Sequence, residues 1–320
     1  DVDQSNSTID ISQAGPSTSV ISLTGDGNAI SVNNSKIGDS ESPIVTNVSL
    51  TNTGTMGNSV TLNDYRQVGI ADDTDTGVIV SGEGNTLITT GDIGTFNVTG
   101  DRNSLMVQNL GAGTVETTIS IKGSDNIAKD GLKTYSMYGD VEATYKIDGD
   151  NNKLNTSFDS QEGGTFEVTV NNKEAGSSAL GNNITIDSGW YQSFKLDIQG
   201  DNNSYDFQAR AHDYTSVSSY IKGSGNTQKF LDGSIIYDND VVPIDITTRI
   251  VGHNNSWYYG VGTNGFSHTV DGDGFAGEVT ANTSSGGYKQ SFSQLGSGTS
   301  SLTHSGGTVK ISTMGSALGT

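Results

Sequence analysis

The sequence predicts an all-β fold, a β-solenoid of about 11–13 stacked strand–corner–strand coils with little or no helix, and three observations carry that prediction. A unit of the form apolar-x-apolar-x-Gly-x-x-Asn-x-apolar-x-apolar recurs along most of the chain. On both sides of its Gly-x-x-Asn segment, apolar and polar residues alternate at period two, the signature of a strand with one buried face. Composition weakens the helical alternative: Gly, Ser, Thr, Asn and Asp dominate, all poor in helix interiors, with 43 glycines and only 32% hydrophobic residues.

Taken in order, the unit first appears as ISLTGDGNAISV from Ile21 to Val32. A weaker copy, MGNSVTL, starts at Met56, with its glycine beside Asn58. VIVSGEGNTLI (Val78 to Ile88), FNVTGDRNSLMV (Phe96 to Val107), ISIKGSDNIA (from Ile119) and YKIDGDNNKLNTSF (from Tyr145) follow. The later copies are GNNITI from Gly181, LDIQGDNNSYDF from Leu196, YIKGSGNTQKF from Tyr220 and RIVGHNNSWYY from Arg249. The residues nominated for a structural corner ladder are Gly25 and Asn28, Gly82 and Asn85, Gly100 and Asn103, Gly123 and Asn126, Gly149 and Asn152, Gly200 and Asn203, Gly223 and Asn226, and Gly252 and Asn255. With Asn58 and Asn183 added, the anchoring asparagines recur about every 25 residues, room for two strands and two corners. Gly38, Gly91, Gly111, Gly139 and Gly163 are candidates for the second corner.

Within one unit, Ile21, Leu23, Ile30 and Val32 share a face, while Ser22, Thr24 and Ser31 point the other way. Glycine supplies the positive φ a corner needs, and asparagine tolerates the left-handed region while its amide can bond its own turn or the same asparagine one coil on. A single unit cannot bury its inner face; stacked rungs about 4.8 Å apart can, which lets so polar a chain fold rather than stay disordered. The expectation is one repetitive domain over residues 1–320, with 261–320 as less regular C-terminal coils and a candidate assembly segment.

These residues resemble the curlin repeat of bacterial functional-amyloid fibres, whose strand–turn–strand unit carries an inward Gln two residues before the Gly of Gly-x-x-Asn. The curlin-like glutamines are Gln13 in ISQAG, Gln67 in YRQVG and Gln294 in FSQLG, followed by Thr18, Asp72 and Thr299 where the family has Asn. Where Asn is present, the Gln position holds Leu23, Val80, Val98, Ile121, Ile147, Ile198 or Ile221. The resemblance implies an extracellular fibre subunit that adds to its neighbours by edge stacking. Similar Gly-x-x-Asn repeats suit virion appendages, which keeps a phage fibre open.

The net charge of -20, from 36 acidic and 16 basic residues, repels phosphate backbones and anionic lipid, so neither nucleic acid nor membrane insertion is expected. The absence of cysteine fits a secreted chain without disulfides, and Asp1 in place of Met fits one trimmed on export. Strand-like alternation from Ile9 and Ile11 to Val309 and Ile311, without a capping helix, makes the chain itself the expected partner, stacked head to tail as a homopolymer. The function expected is therefore a structural subunit of an extracellular or cell-surface filament, of the functional-amyloid or biofilm-matrix kind. The alternatives are a receptor-binding virion fibre or surface adhesin, and a polysaccharide-active enzyme.

Chemistry-bearing patterns are sparse. Asp72, Asp73 and Asp75, Asp238 and Asp240, and Asp271 and Asp273 are carboxylate clusters, and Asp is also a favoured turn residue. Two of them, DDTDTG (Asp72 to Gly77) and DGDG (Asp271 to Gly274), are candidate calcium turns, although neither matches a full calcium-loop pattern. No other cofactor is expected. His212, His253, His268 and His304 lack metal-ligand spacing. No nucleophile elbow or phosphate loop occurs, so no catalytic residue is nominated and the chain is expected not to be an enzyme. Trp190-Tyr191 and Trp257-Tyr258-Tyr259 could face a surface glycan, but Trp257 and Tyr259 fall on the inward phase after Asn255.

Overall fold

The computed structural model describes residues 2–3, 5–14, 17–35, 44–52, 56–65, 77–90, 95–111, 115–134, 141–159, 164–172, 181–232, 244–261, 265–271, 275–282, 289–295, 298–305 and 308–314. All of its regular structure there is strand, and no helix occurs among the described residues. The chain divides into two compact units, Asp1–Glu162 and Gly163–Thr320. Each is a β-solenoid built from one repeated coil.

In the first unit every coil has a leading strand, a corner and a trailing strand. The leading strands are Val2–Asp3, Ser17–Thr24, Ile44–Thr51, Gly77–Ser81, Thr95–Thr99, Val115–Lys122 and Val141–Asp148. The trailing strands are Thr8–Ala14, Ala29–Ser35, Ser59–Tyr65, Thr86–Thr90, Ser104–Gly111, Ile127–Thr134 and Lys153–Asp159. Leading strands pair only with leading strands, trailing with trailing, always in parallel, so two parallel sheets rise together. The register passes from coil to coil without slip: Val78 faces Phe96, Phe96 faces Ile119, and Ile119 faces Tyr145.

The alternation seen in the sequence is the cause. Val141–Asp148 runs buried and exposed by turns, with Val141, Ala143, Tyr145 and Ile147 inward. Stacking converts each inward position into a row. Leu23, Val80, Val98, Ile121 and Ile147 form one in the leading sheet; Val60, Leu87, Leu105, Ala128 and Leu154 form its counterpart in the trailing sheet. Burying one such side chain contributes about 1.5–3 kcal/mol, and the narrow space between two sheets needs only two or three apolar residues per strand to fill it. Tyr145 is fully buried because its hydroxyl finds the Thr156 hydroxyl at 2.8 Å across that space.

The second unit repeats the plan with one variation. Asn183–Gln199 and Ser204–Lys222 run as continuous strands that begin in the trailing sheet and end in the leading sheet of the next coil. Register shifts between Asp187 and Trp190 and between Tyr191 and Ser193 mark where they turn. The trailing sheet continues through Thr227–Asp232, Ser256–Val261, Phe275–Asn282 and Gly298–Ser305. The leading sheet runs from Gly164–Asn171 through those two strands to Ile244–Val251, Gly265–Asp271, Lys289–Leu295 and Thr308–Met314. Phe194 and Phe207 stack across the core with centroids 4.2 Å apart, and Gln228 donates to the Ser219 hydroxyl at 3.0 Å.

Of the nominated second corners, Gly38, Gly91, Gly139 and Gly163 lie outside the described residues, and Gly111 ends a trailing strand, opposite Thr134. Parallel stacking continues through the described strands between Gly265 and Met314, but among the described residues the corner asparagines stop at Asn255. One coil on, extension of the strand register puts Phe275 in that place, and Gly298 pairs with Phe275.

Candidate functional site

The feature with the most defined polar geometry is the corner, where stacked backbone and amide groups hold the coils together. Its first residue is glycine for two reasons. At Gly123 φ is +138°, and a Cβ there would lie 2.2 Å from the Gly100 carbonyl oxygen of the preceding coil. Gly25, Gly82, Gly100 and Gly149 hold the same place in the first unit, as do Gly200, Gly223 and Gly252 in the second, all with positive φ. Two residues later comes a left-handed residue, which is Gly27, Gly84, Arg102, Asp125 or Asn151 in the first unit and Asn202, Gly225 or Asn254 in the second. The left-handed position is thus the residue before the anchoring asparagine, not that asparagine.

The anchoring asparagines turn inward and form a ladder. In the first unit it comprises Asn28, Asn58, Asn85, Asn103, Asn126 and Asn152, and in the second Asn182, Asn203, Asn226 and Asn255, all buried. Asn126 shows the pattern. Its Oδ1 accepts the Asn103 backbone N–H at 2.9 Å, and its Nδ2 donates to the Gly100 carbonyl at 2.9 Å and to Asn152 Oδ1 at 3.0 Å. Its own backbone N–H donates to Asn152 Oδ1 at 3.0 Å. Asn203 repeats this with Asn226, and Asn226 and Asn255 donate to the carbonyls of Gly200 and Gly223. The corner backbone stacks as well, from Gly100 N–H to the Lys122 carbonyl and from Arg102 N–H to the Ser124 carbonyl. A parallel sheet thus continues around the corner, its backbone groups bonded from coil to coil and the ladder amides bonded between them.

The sequence placed two elements of this ladder incorrectly. The GNN at 181–183 offers two asparagines; Asn182 is the buried rung, while Asn183 opens a strand and is exposed. The inward residues fix the choice, since Ile184 must sit two places after the rung, as Ala128 does after Asn126. Beside Asn58, Gly57 is not the corner glycine; Asn52 holds that place, and its N–H bonds the Ser81 carbonyl. Asn172 does the same in the second unit, with the Gln199 carbonyl.

The three glutamines do not gather. Gln294 pairs with Val270, which pairs with Ile250, so it shares the row of Ile198 and Ile221. Gln13 lies in a trailing strand opposite Asn34, outside that row, and Gln67 is outside the described residues. Among the described side chains the buried glutamine is Gln228, which the motif did not single out.

On the outer faces, ion pairs join neighbouring coils: Arg102 with Glu83, Lys195 with Glu167 at 2.7 Å, and Lys229 with Asp206 at 3.5 Å. The Glu167 hydrogen bond and charge hold the Lys195 ammonium above its usual value. Among the described residues, no group of three or more His, Asp or Glu side chains gathers as a metal site. The proposed calcium turns fall at 72–76 and 272–274, outside the described residues; only Gly77 and Asp271, at strand ends, are described. Trp257 is buried and Tyr258 exposed, while the side chains of Trp190, Tyr191 and Tyr259 lie outside the described set. The chain matches no protein-family model, no curated protein and no solved structure.

Proposed function

We propose that this chain is the structural subunit of an extracellular filament, polymerising head to tail through the kind of coil-on-coil contact that builds each unit. The observation that supports this most is translational register. Parallel strand pairing repeats from coil to coil in the described strands, with glycine and asparagine recurring at most corners between Gly25 and Asn255, so the sheet edges a coil offers above match those it offers below. A contact of that kind between copies is heterologous and does not close, which yields a filament rather than a ring. The acidic charge keeps such a chain soluble before assembly, and the lack of cysteine suits an oxidising exterior.

The test is electron microscopy and fibre diffraction of purified protein over a concentration series. Continuous fibres with a meridional spacing of about 4.8 Å are expected. Particles that stay single at every concentration overturn the reading, and discrete trimers replace it with a receptor-binding fibre or adhesin. Labelling intact source cells with an antibody to the chain tests location; signal confined to permeabilised cells overturns the exterior assignment.

A further inference from the structure

We propose that Asn52 and Asn172 are amide brackets that make their two corners insertion sites, where the chain can carry an added segment outside the stack. The inference stands apart from the filament reading and rests on how these corners are closed. In the tight corners two residues separate the glycine from the ladder asparagine. From Asn52 to Asn58 there are five, and from Asn172 to Asn182 nine. Among the described residues each unit shows one such wide corner with this bracket, and both begin with asparagine in the glycine place and end in Gly-Asn.

A tight corner offers the next coil two backbone groups. The glycine carbonyl accepts from the next ladder amide, as Gly100 does from Asn126. The N–H of the left-handed residue satisfies the next coil's corner carbonyl, as Arg102 does for Ser124 at 3.0 Å. The bracket side chain supplies both. Asn52 Oδ1 accepts Asn85 Nδ2 at 2.9 Å, and its Nδ2 donates to the Glu83 carbonyl at 2.8 Å. Asn172 Oδ1 accepts Asn203 Nδ2 at 3.0 Å, and its Nδ2 donates to the Asp201 carbonyl at 2.9 Å.

One planar amide therefore stands in for the two peptide groups a tight turn would present, and the next coil meets the same surface either way. The chain is back in the stack by Met56, whose carbonyl accepts the Gly27 N–H at 3.1 Å, and at Gly57 and Gly181 a Cβ would fall 1.8 Å and 1.9 Å from carbonyl oxygens of the following coil, Gly84 and Asn202. With both ends of the corner fixed by the stack, the number of residues between them adds only the slowly growing entropy of a longer loop. The two wide corners are thus the places where a recognition segment can be gained or exchanged without repacking a coil.

The test uses the full chain with a protease-cleavable Gly/Ser segment of about ten residues inserted between residues 54 and 55, and separately between 176 and 177. Both proteins are expected to keep the parent β-sheet circular dichroism and a melting midpoint within about 2 °C of it, before and after cleavage. The same segment between Asp101 and Arg102 is expected to lower the midpoint by about 5 °C or more. Adding Asn52→Ala should abolish tolerance at 54/55 and leave tolerance at 176/177. Equal tolerance in the tight corner, or with Asn52→Ala present, overturns the bracket. Should the Asn52→Ala protein fail to fold, the cleaved 54/55 insertion in the parent background decides: a nick that unravels the unit overturns the proposal, and one that leaves its midpoint unchanged upholds it.

Discussion

Truncating one rung of the asparagine ladder should cost far more than truncating an asparagine of the next coil that faces water. Asn126→Ala removes the acceptor of the buried Asn103 N–H and the donor to the half-buried Gly100 carbonyl, and leaves both beside a methyl. Asn152 Oδ1 loses one donor and keeps the Asn126 backbone N–H. At about 1–3 kcal/mol for each buried group left unmatched, the expected loss is about 3–4 kcal/mol. Asn155→Ala, on the outer face of the next coil's trailing strand, should stay within about 0.5 kcal/mol of the parent. Urea denaturation followed by far-ultraviolet circular dichroism measures both. Losses equal within 0.5 kcal/mol would refute the argument that the ladder amides bear the coil contact. Asn126→Asp sharpens it: the introduced carboxylate would face the Gly100 carbonyl and Asn152 Oδ1, raising its folded pKa above the unfolded value of about 3.9. The deficit should therefore be smallest below that value and grow as pH rises through the folded pKa.

Other outcomes follow from single features. Gly123→Ala forces a Cβ against the Gly100 carbonyl at positive φ and should lower stability by about 2 kcal/mol or more in the same assay, a larger loss than Ser124→Ala in that corner. Tyr205 is buried with no hydrogen-bond partner for its hydroxyl, and burial pushes its pKa well above the usual value. Tyr205→Phe should therefore match or exceed the parent at neutral pH. Above about pH 10 the unfolded phenol ionises while the folded one stays protonated, so the parent should lose stability that the variant keeps, read as diverging thermal midpoints between about pH 9 and 11. Tyr145→Phe leaves the Thr156 hydroxyl alone in the core and should cost about 1–2 kcal/mol by urea titration, with Tyr145→Phe/Thr156→Val recovering part of it.

The repeat was readable because one rule sets sequence and structure alike. A strand with a single buried face alternates, and a corner that must stack on itself at positive φ admits little but glycine. That gave the strands and the tight corners. It failed where a residue's role depends on the coil beside it. Asn52 resembles any polar residue at a strand end; its place emerges only when Leu50 is aligned with Val80, two residues before Gly82. Asn182 and Asn183 are alike to a motif, and Ile184 separates them. The pairings of Tyr145 with Thr156 and Gln228 with Ser219 were not legible, because they depend on how one sheet is staggered over the other, which no single strand encodes. The Gln-x-Gly match put Gln13 and Gln294 on different sheets, opposite Asn34 and Val270, since so short a match carries no strand phase.

The long return path of each coil has a mechanical consequence. From Gly100 to Gly123 the chain advances one rung, about 4.8 Å, yet that stretch pulled straight would span about 80 Å. Tension along the stacking direction acts on the bonds between coils, and a coil that detaches releases a length of tether more than ten times the rung it leaves. The coils behind it keep their register and can take the load in turn. A unit of this kind yields in discrete steps under force, dissipating work as it lengthens and keeping the two ends joined by an unbroken chain.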